Sequence, residues 1–232
     1  MRILLLSMPD SFEHTPTLAV RMPNGALASL AGNVDPHHQV AVADLVLAQS
    51  AVRQTVAGLM RDVRPDLVGL SVMTFQRSTA RRIIAFIRSI DPGVRVVVGG
   101  YDPSLAPDAW TAPDTGVDFI VRGEGERTLR DLVRALESDS PLSGVAGLWF
   151  RSGKTVHRSP DRPVASIEDG TVKLPNRAAR VLPGYSMLGR QVDVVETSRG
   201  CTYDCSFCSI IEMREQKLQS YVHPRDVSTT ST

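Results

Sequence analysis

Three cysteines fall within eight residues, Cys201, Cys205 and Cys208 in the string CTYDCSFC, and the rest of the 232-residue sequence has none. Thiolates separated by three and then two residues can converge on one soft metal centre when the loop folds back. An odd number of close thiols, by contrast, makes a poor disulfide framework. A metal ion or a cluster is therefore the expected ligand. A cubane 4Fe-4S cluster on three protein thiolates keeps one iron open for an outside ligand, whereas a structural zinc needs a fourth donor, and His223 lies at a loosely suitable spacing.

The flanks add context. Residues 192–200, VDVVETSRG, read as a short apolar strand running into a loop at a glycine, and the following SIIEM can open a helix. Phe207 sets an aromatic directly before the last cysteine. On this CxxxCxφC pattern, φ being aromatic, the sequence resembles the radical S-adenosylmethionine superfamily. The resemblance implies a partial TIM-like barrel whose first strand leads into the cluster loop. It also implies Cys201, Cys205 and Cys208 as cluster ligands, Phe207 on the cofactor side, and S-adenosylmethionine chelating the fourth iron through its amino and carboxylate groups. A reducing electron donor would then drive cleavage of the sulfonium to a 5′-deoxyadenosyl radical.

The residues before the cysteines must position them. Apolar runs suited to parallel strands lie at 2–7, 39–43, 67–72, 94–99 and 117–121, separated by segments of helical length. They predict a Rossmann- or flavodoxin-like α/β fold with a doubly wound, five-stranded parallel sheet. The helix expected over 78–90 places Ala80, Ile83, Ile84, Ile87 and Ile90 on one stripe, and Leu129, Leu132, Val133 and Leu136 form another. Arg77, Arg81, Arg82 and Arg88 read as a solvated helix face, and His37 and His38 as turn residues.

Ligands of such sheets bind beyond the carboxyl ends of the strands. Three strand ends carry informative residues: Ser71 and Met73; Gly99, Gly100 and Tyr101; and Gly123, Glu124 and Glu126. Adjacent glycines admit close backbone approach, and a small hydroxyl can bond a polar tail without blocking a slot. Taken singly, each has a plainer reading: a strand-ending serine, a tight turn, or two carboxylates favouring the positive end of a helix. Together they resemble the cobalamin-binding domain of cobalamin-dependent radical S-adenosylmethionine proteins, in which a Ser-x-Leu-like element and a Gly-Gly element line the slot for the nucleotide tail. The resemblance implies cobalamin as a further cofactor. The Asp-x-His-x-x-Gly motif that ligates cobalt from below is absent, because Asp10 and His14 are spaced differently and no glycine follows. Cobalamin is therefore expected to bind without a histidine from that loop.

A hairpin is expected over 144–157, followed by a proline-punctuated connector laid across the domain surfaces. The expected domains are 1–140, cobalamin-binding-like; 141–190, hairpin and connector; and 191–232, the opening of the radical domain. Only 24 residues follow Cys208, far short of a barrel, so the sequence is expected to be truncated, inactive alone and mobile beyond that cysteine. A net charge of +1 carries no signature of nucleic-acid binding. The N-terminal apolar run is too short for a signal peptide or membrane span, and a cytoplasmic setting with reduced thiols is expected. The functional expectation is methyl transfer or radical rearrangement on an unknown small-molecule substrate. The alternatives are a cobalamin or flavodoxin-like binding module without turnover and a zinc-stabilised interaction protein.

Overall fold

The strand β1 (Arg2–Ser7) is apolar almost throughout because both its faces are covered: Ile3 and Leu5 join one core layer, Leu4 and Leu6 the other. In the computed structural model, which describes residues 1–9, 20–48, 51–153, 155–164, 170–201, 203, 205–210 and 219–220, β1 lies inside a seven-stranded sheet. The further strands are β2 (Gln39–Asp44), β3 (Leu67–Ser71), β4 (Arg95–Gly99), β5 (Phe119–Val121), β6 (Leu148–Ser152) and β7 (Thr155–Arg158). Their spatial order is β2-β1-β3-β4-β5-β6-β7. The first five are parallel, at the places where the apolar runs predict them.

The sheet has seven strands rather than five because the hairpin continues it: β6 pairs antiparallel with β5, and β7 with β6. Leu148 and Trp149 are buried there, so the hairpin closes the core edge that β5 would otherwise expose.

Helices cover both faces. α1 (Gly25–Asn33) and α5 (Gly125–Ser138) pack together on one side, and α2 (Val52–Val63) and α3 (Arg77–Ile90) on the other. A short α4 (Tyr101–Leu105) follows β4. Asn24 caps α1 by accepting from the Leu27 N–H at 3.2 Å. The α3 stripe buries Ala80, Ile83, Ile84 and Ile87, while Ile90, expected on it, is exposed at the helix end.

Three of the α3 arginines, Arg77, Arg81 and Arg88, are tertiary ties rather than a solvated face. Arg77 donates two hydrogen bonds, of 2.8 and 2.6 Å, to the carboxylate of Asp102. Arg88 bonds the Gly116 carbonyl and Asp118, and Arg81 donates to the Ala109 carbonyl. Asp102 is only 1% exposed and also accepts from Trp110 Nε1 at 2.9 Å. Burial alone would push its carboxyl up; the Arg77 fork and the indole N–H outweigh burial and hold it below the usual carboxylate range. The histidine pair does lie in the turn before β2, but the His38 ring is buried, with Nδ1 2.9 Å from the N-terminal amine.

The connector runs back over the first layer. Lys173 and Asn33 exchange two hydrogen bonds, Asn176 N–H donates to the Ala28 carbonyl, and Val181 N–H donates to that of Val42 at the β2 edge. Gly32 permits this approach, since a Cβ there would lie 2.0 Å from the Leu174 carbonyl oxygen. The apolar strand expected over 192–200 is shorter: 192–197 carry no strand, and only Ser198–Arg199 pair, antiparallel, with Gln219–Ser220. Asp10, His14, His223 and the residues expected to be mobile after 210 lie outside the described residues, apart from 219–220.

Candidate functional site

The chain reverses its winding between β1 and β3, the switch point at which the loops after neighbouring strands part and leave a crevice. A cavity of about 690 Å³ opens there, at the carboxyl ends of β3, β4 and β5 and the amino ends of α1 and α5. Ser71, Met73, Gly99, Gly100, Tyr101, Gly123, Glu124 and Glu126, drawn from three separate loops, all line it. Its floor is apolar, with Leu5, Leu30, Val97, Val121 and Leu129.

The backbone shapes this cavity by leaving side chains out. Gly100 has φ +97°, and a Cβ there would lie 2.9 Å from the Val72 backbone N and O. Only glycine allows β4 to turn directly into α4 at that point. Gly69, inside β3, lines the floor, where a Cβ would meet the Leu5 side chain at 2.7 Å. Gly125 opens α5 where a Cβ would lie 2.9 Å from Leu30. The site thus pairs a slot between bare backbones with a few polar groups at its mouth, the usual make-up of a cofactor cleft.

The segment before the cysteines forms one wall, Val194 to Arg199. Arg199 is buried, with its side chain 8% exposed, and Nη1 lies 2.6 Å from Glu126 and 4.0 Å from Glu124. Its Nε donates to Glu196 at 2.7 Å, its Nη2 donates to Ser29 Oγ at 3.2 Å, and Ser29 in turn donates to Glu126 at 2.7 Å. Burial works against the guanidinium charge, but Glu126 and Glu196 more than offset it and raise its pKa. Glu126 is therefore a buried partner of a distant arginine, not merely a carboxylate in the first turn of a helix.

The cysteines follow directly. All three are free thiols of intermediate exposure. The loop folds back through a 2.9 Å bond from the Cys208 N–H to the Cys205 carbonyl, and the Tyr203 N–H lies 3.4 Å from Cys201 Sγ. Phe207 is 90% exposed and lies outside the cavity lining. The three sulfurs do not gather within 4.8 Å of one another; among the described residues only His37, His38 and Glu137 do so.

Sequence reasoning missed Asn24, Gly25, Gly69 and Arg199 as lining residues. Arg199 had a signal in its place two residues before Cys201, whereas the others are ordinary cap and strand residues until the fold stacks them.

A crevice at the switch point of a 2-1-3-4-5 sheet, with a glycine-lined slot, defines a nucleotide-tail or cofactor-binding α/β domain. A family model described as the B12 binding domain matches residues 15–133, and the chain belongs to that family. It is 31% identical to an uncharacterized methyltransferase of Pyrococcus horikoshii over 209 residues, 90% of this chain and 45% of that protein. Among solved structures, it resembles the cobalamin-dependent S-adenosylmethionine radical enzyme OxsB with aqua-cobalamin and S-adenosylmethionine bound, at TM-score 0.68 and 25% identity, over 89% of this chain and 28% of that one. The radical S-adenosylmethionine methyltransferase TsrM from Kitasatospora setae, with cobalamin and a [4Fe-4S] cluster bound, shares the fold at TM-score 0.68 and 22% identity, over 94% of this chain and 43% of that one. The two solved relatives are radical S-adenosylmethionine proteins with cobalamin bound, and the chain spans less than half the length of each of the three relatives.

Proposed function

We propose that this chain is the cofactor-carrying part of a cobalamin-dependent radical S-adenosylmethionine methyltransferase. The observation that carries this reading is the placement of the glycine-lined cavity against the segment that leads into Cys201, Cys205 and Cys208, with Arg199 common to both.

The residues fit the cofactors by chemistry. The slot between Gly69, Gly99, Gly100 and Gly125 would take the nucleotide tail of cobalamin, with the apolar floor keeping water from it and the Ser71 hydroxyl bonding its polar groups. Met73 and Tyr101 would flank the macrocycle at the mouth. The three thiolates would hold a 4Fe-4S cluster with one iron left for S-adenosylmethionine, and Phe207 would shield that side. When bound, these cofactors supply the methyl group and the one-electron chemistry, while the protein supplies position and electrostatics.

The domain assignment follows the same lines: 1–140 hold cobalamin, 141–190 join, and 191–232 open the radical domain. Free thiols destined for a cluster require a reducing setting, which the cytoplasm provides. Among the described residues no helix is long and apolar enough to cross a membrane.

Anaerobic reconstitution of the 232-residue chain with iron and sulfide tests the cluster half. About four irons per chain and a reduced paramagnetic signal altered by S-adenosylmethionine are expected, with both lost in Cys205→Ala. Tight zinc uptake with no iron incorporation would contradict it.

A further inference from the structure

Between residues 170 and 210, Ala179 and Arg199 are the only described residues that are buried. The cysteine loop therefore has almost no apolar anchorage of its own. Arg199 crosses from this loop into the other layer, where it meets Ser29 on α1 and Glu126 on α5, and Glu124 at the turn before α5. Glu124, Glu126 and Arg199 itself also line the cavity. A desolvated guanidinium with two carboxylates within 2.7 Å is a directional tie, since the planar fork fixes orientation as well as distance. Its two ends belong to the two places where cofactors are proposed to sit.

We infer that Arg199 is the positioning residue that couples the cysteine loop to the cobalamin cavity, so that filling the cavity steadies the loop. The inference rests on the proposed function for the identity of the cavity's ligand, and on the ion-pair geometry alone for the tie. By reciprocity, anything that favours the docked arrangement at one end favours it at the other. A ligand that packs against the wall formed by Val194 to Arg199 would restrict the openings through which Cys201 meets solvent.

Iodoacetamide labelling of Cys201, Cys205 and Cys208, followed by mass spectrometry on the full chain without a cluster, reads this directly. Arg199→Met is expected to speed labelling by about fivefold or more, the lower end of ordinary coupling strengths. Arg199→Lys, which keeps the charge and loses the fork, should fall between. An Ile87 variant, placed in the opposite core layer and matched in Tm to Arg199→Met, should leave labelling unchanged and so separates positioning from general loss of stability. Saturating cyanocobalamin should slow labelling in the parent and not in Arg199→Met. Equal labelling rates in Arg199→Met and the parent, or in Arg199→Lys and the parent if the methionine variant does not fold, would overturn the inference. So would full protection by cyanocobalamin in the variant. Failure of the parent to bind cyanocobalamin would instead contradict the proposed function, with the ligand-free rates still deciding whether Arg199 ties the loop.

Discussion

The sheet layer and the cysteine segment are held in opposite ways. From β1 to β7 two apolar layers enclose the strands, with Leu4, Leu6, Ile84 and Ile87 on one face and Ile3, Leu5, Leu129 and Leu132 on the other, each side chain touching several others. From 170 to 210 the described chain lies on that body mainly through polar contacts: the Asn33 side chain, the Ala28 and Val42 carbonyls, the Tyr185 hydroxyl donating to Asp44, and, nearest the cysteines, the buried Arg199, with Ala179 its one buried apolar side chain. Apolar order is redundant, since removing one contact leaves its neighbours. Polar order through one ion pair is not, because the charge left behind is buried and unpaired. The body can thus be stable while the stretch just before the cysteines depends on the Arg199 ion pairs.

The largest effect is expected where the body itself depends on polar order. Asp102→Ala leaves Arg77 and Trp110 Nε1 without their acceptor and should cost about 3 kcal/mol in urea unfolding, the scale for breaking a buried pair. A near-neutral result would mean that the body's polar ties are as dispensable as its surface ones. Gly100→Val places a side chain at φ +97° against the Val72 backbone and should destabilise by about 2 kcal/mol by the same measurement.

The pH response is smaller and has a definite sign. Burial, and then the nearby N-terminal ammonium, hold the His38 imidazole below its ordinary value of 6.5. The unfolded chain therefore binds the proton first as pH falls. Stability is fully present above about 6.5 and declines as pH drops from there through the folded value. His38→Gln should flatten that slope in thermal melts taken across the window. The smallest effect belongs to the connector surface: Leu174 is 84% exposed, and Leu174→Ser should change stability by less than about 0.5 kcal/mol. A large loss there would show that the segment has apolar support not visible in its burial.

The parallel strands were legible because each is an apolar run of strand length between turns, a signal that survives without tertiary context. The hairpin's membership in the sheet was not, since antiparallel pairing to β5 depends on which edge is open. Gly99 and Gly100 were legible as strand-end residues, and both line the cavity, though only at Gly100 does neighbouring backbone leave no room for a Cβ. The ties of Arg77, Arg88 and Arg199 were not, because a charged residue on a helix or loop looks solvated until the fold supplies its partner. The strand read from Val192 shrank to Ser198–Arg199, since Val194 and Val195 line the cavity mouth instead of pairing.

Gly99 allows the central claim to be tested with the fold kept intact. A Cβ there makes only ordinary contacts with Val121, the nearest at 3.6 Å, so a larger side chain obstructs the slot without backbone strain. Equilibrium titration with cyanocobalamin, run on the parent chain and on Gly99→Leu at matched Tm, is the most direct measurement. One cobalamin per chain in the parent and an affinity at least about tenfold weaker in the variant, a loss of about 1.4 kcal/mol, are predicted. Absence of binding by the well-folded parent, or equal binding by both proteins, would contradict the account.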